Sequence, residues 1–579
     1  MLVYWQVRNY FYSLFSWKPV LERNARFCST PQGLQTEGQG EIPSISLVKA
    51  TMQSLLRLTL FLCCLWALTL LYGEMFAYWI PLWSCSWPQL HPSSSSSSVD
   101  NQVKVAVLAD PQLMDRTSFR LPSKSFALEI AQFYTDIYMK RSFHASITPF
   151  KPDLVVFLGD QFDGGPFLSD QEWRESLSRF RHIYGLNEKG IYSDIPFYYL
   201  SGNHDIGYTA LHSRHPEVIS RYEKEFGGRN YHFSAGKVDF VVVDAQTLDG
   251  PKNGKGTSLS WDFIKNISKD GTSNPRVLLT HIPLYRPDGT PCGPYRSSSI
   301  INQRLLRVDL NQEIMYQNYL SKETSDHLLD LIRPILVLSG HDHDQCTVMH
   351  STPIGLVTEH TLGTVSWQQG NLYPSFMLLS ATSLPSSNTT DSEHAVSTHL
   401  CFLPMQTHIY IWYLLQFIMT IFLLTIWPTN GFGCWDFCGK CMSFIGAMVK
   451  NLTATSKEKD EEEDCEYEMI WDAEGSMHLV KKTTTKVPVM KSDVGLTARS
   501  NVVSRPTAKK HLQEQEASVL VEMKMEAKLD NTSKVPYLGK SKVRKLVQRV
   551  FRVVRLVVII AAVNIPLYVM LLFKDWIDR

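Results

Sequence analysis

Three apolar runs stand out against a mixed background. The first extends from Leu58 to Gly73, and reaches back to Leu55 and Leu56 if the Arg57 side chain snorkels to the interface. With that extension it meets the lower limit of about 17 residues for a bilayer-spanning helix. The second, Ile409–Trp427, holds 19 residues without a charge and stops at Pro428. The third, Leu556–Phe573, follows a basic run (Arg544, Lys545, Arg549, Arg552, Arg555) and is interrupted by Asn564 and Pro566. A basic helix lying on a membrane surface is the competing reading of that third run. The first run starts far from the amino terminus and lacks a small-residue cleavage site, which predicts an uncleaved anchor. Arg8, Lys18, Arg23, Arg26, Lys49 and Arg57 precede it, and no basic residue follows until Lys104. The positive-inside rule then predicts a cytosolic amino terminus, a luminal segment between the first two runs and a cytosolic 428–555 segment. The chain would end in the lumen if the third run spans.

Between the first two runs the pattern changes to short β-rich stretches: Val103–Ala109, Leu154–Leu158, Phe197–Leu200, Phe240–Val243, Val277–Leu279 and Ile335–Leu338. Helix-like stretches, among them Ser125–His144 and Asp170–Tyr184, lie between them. This alternation predicts an α/β domain with substantial parallel pairing, large enough for its own core. The expected organisation is a tail (1–54), an anchor (55–83), a Ser-rich stalk (84–102) and a luminal domain (103–384). A linker (385–408), a second span (409–427), a largely disordered cytosolic segment (428–555), a third span (556–573) and a tail (574–579) follow.

Composition sharpens this frame. Charged residues are 20% and hydrophobic residues 44% of 579, which excludes wholesale disorder. The 57 basic and 56 acidic residues nearly cancel, which argues against a nucleic-acid partner. Eleven cysteines form no regular array. Cys434, Cys438 and Cys441 suit juxtamembrane acylation better than a zinc site, which lacks an evident fourth ligand, with unmodified thiols as the third alternative. Cys85, Cys292, Cys346 and Cys401 fall in the luminal segment, where Cys292 and Cys346 could pair or remain two free thiols. Sequons stand at Asn266, Asn388, Asn451 and Asn531, of which the first two are expected to be luminal.

Five of the strands are followed closely by metal-competent residues: Asp110-Pro111-Gln112, Gly159-Asp160-Gln161-Phe162-Asp163, Gly202-Asn203-His204-Asp205, His281, and Gly340-His341-Asp342-His343. Loops converge at the carboxyl ends of strands in an open α/β sheet. Carboxylates, imidazoles and amide oxygens without a thiolate suit two adjacent divalent cations, with Mn, Zn or Fe all compatible.

These motifs resemble the calcineurin-like metallophosphoesterase superfamily over about 240 residues, from Val105 to His343. The resemblance implies a metallophosphoesterase-type β-sandwich flanked by helices, here tethered by two or three transmembrane helices. It also implies that Asp110, Gln112 and His343 hold one metal, that Asp160 bridges, and that Asn203, His281 and His341 hold the other. His204 and Asp205 would be the catalytic pair, with His204 protonating the leaving oxygen or stabilising developing charge. Gln112 departs from the usual histidine, and as a harder, weaker ligand it either shifts the first site from zinc toward manganese or leaves it labile. The Asp-Pro-Gln variant, the expected topology and the stretch HIPLYRPDGTPCG look like the membrane-bound metallophosphoesterases that remodel GPI anchors in the ER or early Golgi. Those enzymes remove an ethanolamine-phosphate branch from a mannose of the GPI glycan, aiding maturation and ER-to-Golgi transport of GPI-anchored proteins. The partners implied are a GPI-anchored glycolipid or protein and the membrane. A phosphoesterase for another luminal ester (phospholipid, nucleotide sugar or phosphoprotein) and a non-catalytic cargo or scaffold protein are the alternatives. Tyr285 and Arg286 could contact phosphate or glycan, or simply pack. His360 is a weaker candidate.

Overall fold

The computed structural model describes residues 45–90, 102–382 (apart from 120–121, 123–124, 187–191, 193, 271–273 and 299–300), 395–427, 467–471, 477–481 and 540–576. Beyond helix α1 (Ile45–Glu74), the chain builds two sheets. In the first, β1 (Gln102–Leu108), β2 (Leu154–Phe157) and β3 (Phe197–Tyr199) run parallel, and β12 (Ser375–Thr382) and β13 (Val396–Phe402) add antiparallel on the other side of β1. The second has the order β10 (Cys346–Thr352), β11 (Gly355–Thr361), β9 (Leu336–Ser339), β6 (Arg276–Thr280), β5 (Val238–Val243), β4 (Tyr231–Ala235). Its central four strands are parallel. A hairpin of β7 (Leu305–Arg307) and β8 (Ile314–Gln317) stands apart.

The strand sequences read as continuous apolar runs because both faces of each sheet are covered. Val105, Val107, Leu154 and Val156 share one buried cluster with Phe240, Val242, Val277, Leu279 and Leu338, which is the filling between the sheets. Alternate residues Ala106, Leu108, Val155 and Phe157 pack with residues of α2 (Phe126–Arg141) and α3 (Asp170–Tyr184). Val241, Val243, Leu278 and Val337 pack with residues of α4 (Lys255–Lys269) and α5 (Lys322–Ile332). The result is a β-sandwich flanked by helices. Local signals fix the helix ends: Ser169 and Glu172 form a capping box ahead of α3, and Gly185 closes it at φ 66°.

Three expectations need correction. Residues 396–402, expected in a linker, form β13, paired with β12 from Ser375–Phe402 to Ala381–Val396. Cys401 on this edge strand is disulfide-bonded to Cys85, a pairing the sequence did not suggest. Cys85 and Trp87, expected in a stalk, are therefore fastened to the domain, and Trp87 Nε1 donates to the Phe150 carbonyl at 3.0 Å. In the segment expected to be largely disordered, Tyr467–Trp471 and Met477–Lys481 pair as a hairpin, consistent with their β-prone Ile, Trp and Val content. Cys292 and Cys346 do pair. The serine run 93–98, Asn388, Asn451, Asn531, the 434–441 cysteines and the acidic run 460–464 lie outside the described residues. Asn266 is exposed on α4.

Three helices are long and apolar enough to cross a membrane: α1, α6 (Gln406–Ile426) and α7 (Lys540–Trp576). Helix α7 continues through Asn564 and Pro566, with the buried Asn564 amide donating to the Ile560 carbonyl one turn back at 3.0 Å. Leu58, Leu62, Leu424, Val553 and Ile560 bury against one another, so α7 belongs to a bundle with α1 and α6. Trp66 Nε1 to Thr420 (3.0 Å) and Thr69 to Gln416 (2.8 Å) tie α1 to α6 with the polar contacts that apolar surroundings favour.

Arg141 is the most deeply buried of several side chains that fasten the domain to this bundle, beside Tyr134, which bonds Tyr568 of α7 at 3.2 Å, and Lys140, which donates to the Trp576 carbonyl at 3.3 Å. Arg141, the last residue of α2, pairs with Glu74 at the end of α1, both essentially fully buried. Its Nη2 donates to the Leu571 carbonyl of α7 at 2.6 Å and its Nε to Asp575 at 3.1 Å, while Tyr413 of α6 donates to Glu74 at 3.0 Å. The end of α1, the start of α6 and the end of α7 thus meet on the face carrying the domain. Their opposite ends lie at the other end of the bundle.

Candidate metal centre

Every predicted ligand lies in the loop or first turn after a parallel strand. Asp110 and Gln112 follow β1, Asp160 follows β2, Asn203–Asp205 open a short helix after β3, His281 follows β6, and His341 and His343 follow β9. The two sheets aim these loops at one point. Ligand atoms of Asp110, Asp160 and His343 lie within 4.8 Å of one another, and so do those of Asp160, His281 and His341. Asp160 is common to both clusters.

Bringing these groups together strains the backbone. Asp110 (φ 50°), Gln112 (39°), Asp160 (52°), His341 (69°) and His343 (56°) are five of the eight positive-φ non-glycine residues among those described. Such conformations persist where surroundings over-determine them. Here the Gln112 amide donates to the Asp160 carbonyl at 2.8 Å, and the His341 amide donates to both Asp110 oxygens at 3.0 and 3.1 Å. The His204 amide donates to Asp160 Oδ1 at 2.8 Å. Gly159 (φ 105°) is required because a Cβ there would strike the His281 ring, and one at Gly202 would strike the Asp160 carboxylate.

Hydrogen bonds also choose which nitrogen of each imidazole faces the centre. His281 Nδ1 bonds the Leu158 carbonyl at 2.8 Å, leaving Nε2 3.2 Å from Asp160 Oδ2 and 3.1 Å from Asn203 Oδ1. His341 Nε2 bonds the Gln317 carbonyl at 3.0 Å, leaving Nδ1. Gln112 places its Nε2 3.0 Å from Asp160 Oδ2 and 2.8 Å from His343 Nε2, while its Oε1 is buried without a partner. A half-turn of that amide aims the orphaned oxygen at the same two ligand atoms. The donor set therefore fits two divalent cations sharing the Asp160 carboxylate.

Crowding sets the charges. Burial, reinforced by Asp160 and opposed by His281, pushes the Asp110 carboxyl up to about 7. Burial also acts to raise Asp160, but the neighbouring His281 and His204 outweigh it and hold that carboxyl well below its usual range. His281 is lowered by burial yet raised further by Asp160, to about 9, and burial takes His343 down to about 4. Cation binding must displace the protons on Asp110 and His281, so affinity rises with pH, by about tenfold per unit for each proton displaced. Titration of the full chain with Mn²⁺ should show proton release near pH 7 and sharply weaker binding at pH 6. Affinity unchanged between pH 6 and 8 would refute this charge assignment.

His204 is more than a third exposed, and its Nδ1 lies on the Asp163 carbonyl and 3.5 Å from Asp163 Oδ1. Burial lowers its pKa, but Asp160 and Asp163 more than offset that and favour the protonated ring. The acid at the His204 ring is thus Asp163. Asp205 spends its carboxylate on the Phe162 amide (3.1 Å) and the Gly202 amide (2.9 Å), fixing the loop that carries Asn203 and His204. Burial, then Asp160, pushes the Asp205 carboxyl up to about 8.

Arg286, expected to contact phosphate or pack, packs: it is fully buried, 3.2 Å from Glu359 Oε2, and donates to Thr361 at 2.8 Å. Glu359 accepts from Ser339, two residues before His341, at 2.8 Å. Tyr285 donates its amide to Ser325, and the His360 ring meets Thr347; neither is among the clustered ligands. Arg296, paired with Asp342 at 2.7 Å between the two ligand histidines, carried no sequence signal because its partner is distant in the chain.

Two ligand clusters meeting on one carboxylate at the strand ends of a double sheet make this a candidate dinuclear metal centre, and the matches to known proteins support a metal-dependent phosphoesterase. Residues 103–345 match the model of the calcineurin-like phosphoesterase family. Among curated proteins, it is 30% identical over 332 residues to Cell division control protein 1 of Saccharomyces cerevisiae, covering 54% of this chain and 64% of that protein. It is 28% identical over 334 residues to Metallophosphoesterase 1 homolog of Drosophila melanogaster, covering 54% of this chain and 80% of that one. Metallophosphoesterase 1 of Mus musculus is 28% identical over 356 residues, 58% of this chain and 81% of the mouse protein. The match thus spans less than two thirds of the yeast protein.

Proposed function

We propose that the chain is a luminal phosphodiesterase of the ER or Golgi membrane that removes an ethanolamine-phosphate branch from a mannose of the GPI-anchor glycan. The observation that carries this reading is the bolting of the metal centre's domain to three apolar helices through Arg141. An enzyme acting on a membrane-anchored ester shares the substrate's surface, which raises its effective concentration. The Asp-Pro-Gln variant and the basic residues ahead of α1 support the same reading.

Asp110, Gln112 and His343 would hold one cation, Asn203, His281 and His341 the other, and Asp160 both. Two such ions, of which manganese would suit the amide ligand best, would polarise a phosphate and activate a water for in-line attack. The P–O bond to the mannose oxygen breaks, leaving a mannose hydroxyl and ethanolamine phosphate. His204, held by Asp163 in a ring orientation suited to donating a proton, supplies it to the departing oxygen. His204→Ala is expected to lower kcat by about 10²–10⁴-fold with metal content unchanged. Metal analysis beside turnover of a phosphodiester checks both halves.

The substrate is tested by GPI-glycan mass spectrometry on cells lacking the protein, rescued with wild type or the His204→Ala chain. An ethanolamine-phosphate mass that persists without the protein and is removed only by wild type supports the reading. An unchanged glycan profile overturns it and redirects the search to other luminal phosphoesters.

A further inference from the structure

Between the catalytic domain and the helix bundle lies a cavity of about 470 Å³, within the usual range for small-ligand sites. The domain contributes Met114, Phe119 and Ala131 to its wall, and the bundle contributes Tyr410, Tyr413 and Tyr568. None of the described residues that line it is charged.

Its few polar groups are spent on the protein itself. Tyr413 donates to Glu74 at 3.0 Å, and Tyr568 donates to Tyr134 at 3.2 Å. Thr135 donates to the Ala131 and Gln132 carbonyls at 3.1 and 3.0 Å. Trp367 Nε1 and Gln368 Oε1 are covered by protein and do not open into the space. What remains for a guest is carbon. Water settles only where several polar partners meet it, so this lining selects an apolar guest.

Depth identifies that guest. Tyr413 stands four residues inside the charge-free run 409–427, and Tyr568 stands five residues before the end of the run 556–573. At about 1.5 Å per residue, the bundle wall of the cavity lies roughly 6–8 Å inside the ends of those runs, where the acyl chains of a bilayer begin. On α2, the exposed Phe126 and Ile130 share a face with Tyr134 at four-residue spacing, and Tyr134 bonds Tyr568 of α7. The apolar surface of the bundle thus continues onto the domain beside the cavity.

We propose that this cavity seats one acyl chain of a bilayer phospholipid, held between α2 of the domain and α6 and α7 of the bundle. This rests on the membrane-spanning part of the reading above and not on which ester is cleaved. The seated lipid is a resident of the enzyme rather than its substrate. It reaches the metal centre through one residue: Gln368 lines the cavity, and its Nε2 donates to the Gln112 carbonyl at 2.6 Å. A filled cavity therefore braces the backbone that carries Gln112.

The test uses the full-length chain reconstituted in phosphatidylcholine vesicles that include a phosphatidylcholine with a photoactivatable diazirine on one acyl chain. Cross-linked peptides are mapped by mass spectrometry. Labelling of Met114 and Ala131 is expected, because these domain residues meet lipid only through the cavity. Ala131→Phe fills the space without removing a polar group; displacing two or more methylene groups should cut that labelling at least about tenfold. Labelling of the exposed Ile411 and Leu414 on α6 should stay unchanged. Ala131→Leu, a smaller filling, should give an intermediate loss, and retained Mn²⁺ binding certifies that each variant is folded. No labelling of the domain residues in wild type, equal labelling of all three chains, or labelling of those residues by a photoactivatable sterol in place of the phospholipid would each overturn the site. The vesicles hold no glycolipid, so the label cannot report the lipid of a substrate. Resistance of the chain to alkaline extraction reports separately on spanning. Extraction from the vesicles removes the membrane reading, whereas retention without domain labelling removes only the lipid site.

Discussion

Asp160→Asn is expected to lower phosphodiester turnover by at least about 10³-fold. Its carboxylate is the only group common to both ligand clusters, and it is fully buried. An amide there has one neutral oxygen where two cations must share a charge. Losing about 5 kcal/mol of charge stabilisation corresponds to a rate loss of roughly 10³–10⁴. Metal content should fall together with rate, which separates this variant from His204→Ala. Turnover within tenfold of wild type, or an undiminished metal content, would show that Asp160 does not bridge.

Arg141→Met should destabilise the full chain by about 3–5 kcal/mol, because it leaves Glu74 charged and buried without its partner. Glu74→Gln together with Arg141→Met removes both charges and should cost much less than the sum of the single changes. Thermal unfolding of the detergent-solubilised chain, followed as a double-mutant cycle, measures this coupling. Additive losses would mean that the pair contributes no mutual stabilisation. The single change also removes the Arg141 bonds to the Leu571 carbonyl and to Asp575, so protection of the end of α7 from amide exchange should fall.

The chain's chemistry was legible in its sequence because metal ligation imposes short-range demands. A glycine must precede Asp160 to clear His281, and the strained loops must follow strands, so Gly159-Asp160, Gly202-Asn203-His204-Asp205 and Gly340-His341-Asp342-His343 carry both signals at once. The central strands were legible because burial on both faces makes them apolar throughout. Edge strands such as β13 mix polar and apolar positions and were read as linker. Long-range pairing left no local trace: Arg141 and Glu74 are 67 residues apart, and Cys85 and Cys401 are 316 apart. The role of Asp163 at the His204 ring, rather than Asp205, follows from a loop conformation that spacing alone does not encode.

The Arg141 bolt has a consequence for which bonds the enzyme can reach. On the membrane-anchored reading proposed above, contacts from the domain to α1 and α7 would hold the metal centre at one set height above the lipid. Chain segments standing taller or shorter than that height would present their phosphates to empty space. The molecule would then act as a ruler, choosing among chemically similar esters on one anchored substrate by their distance from the membrane.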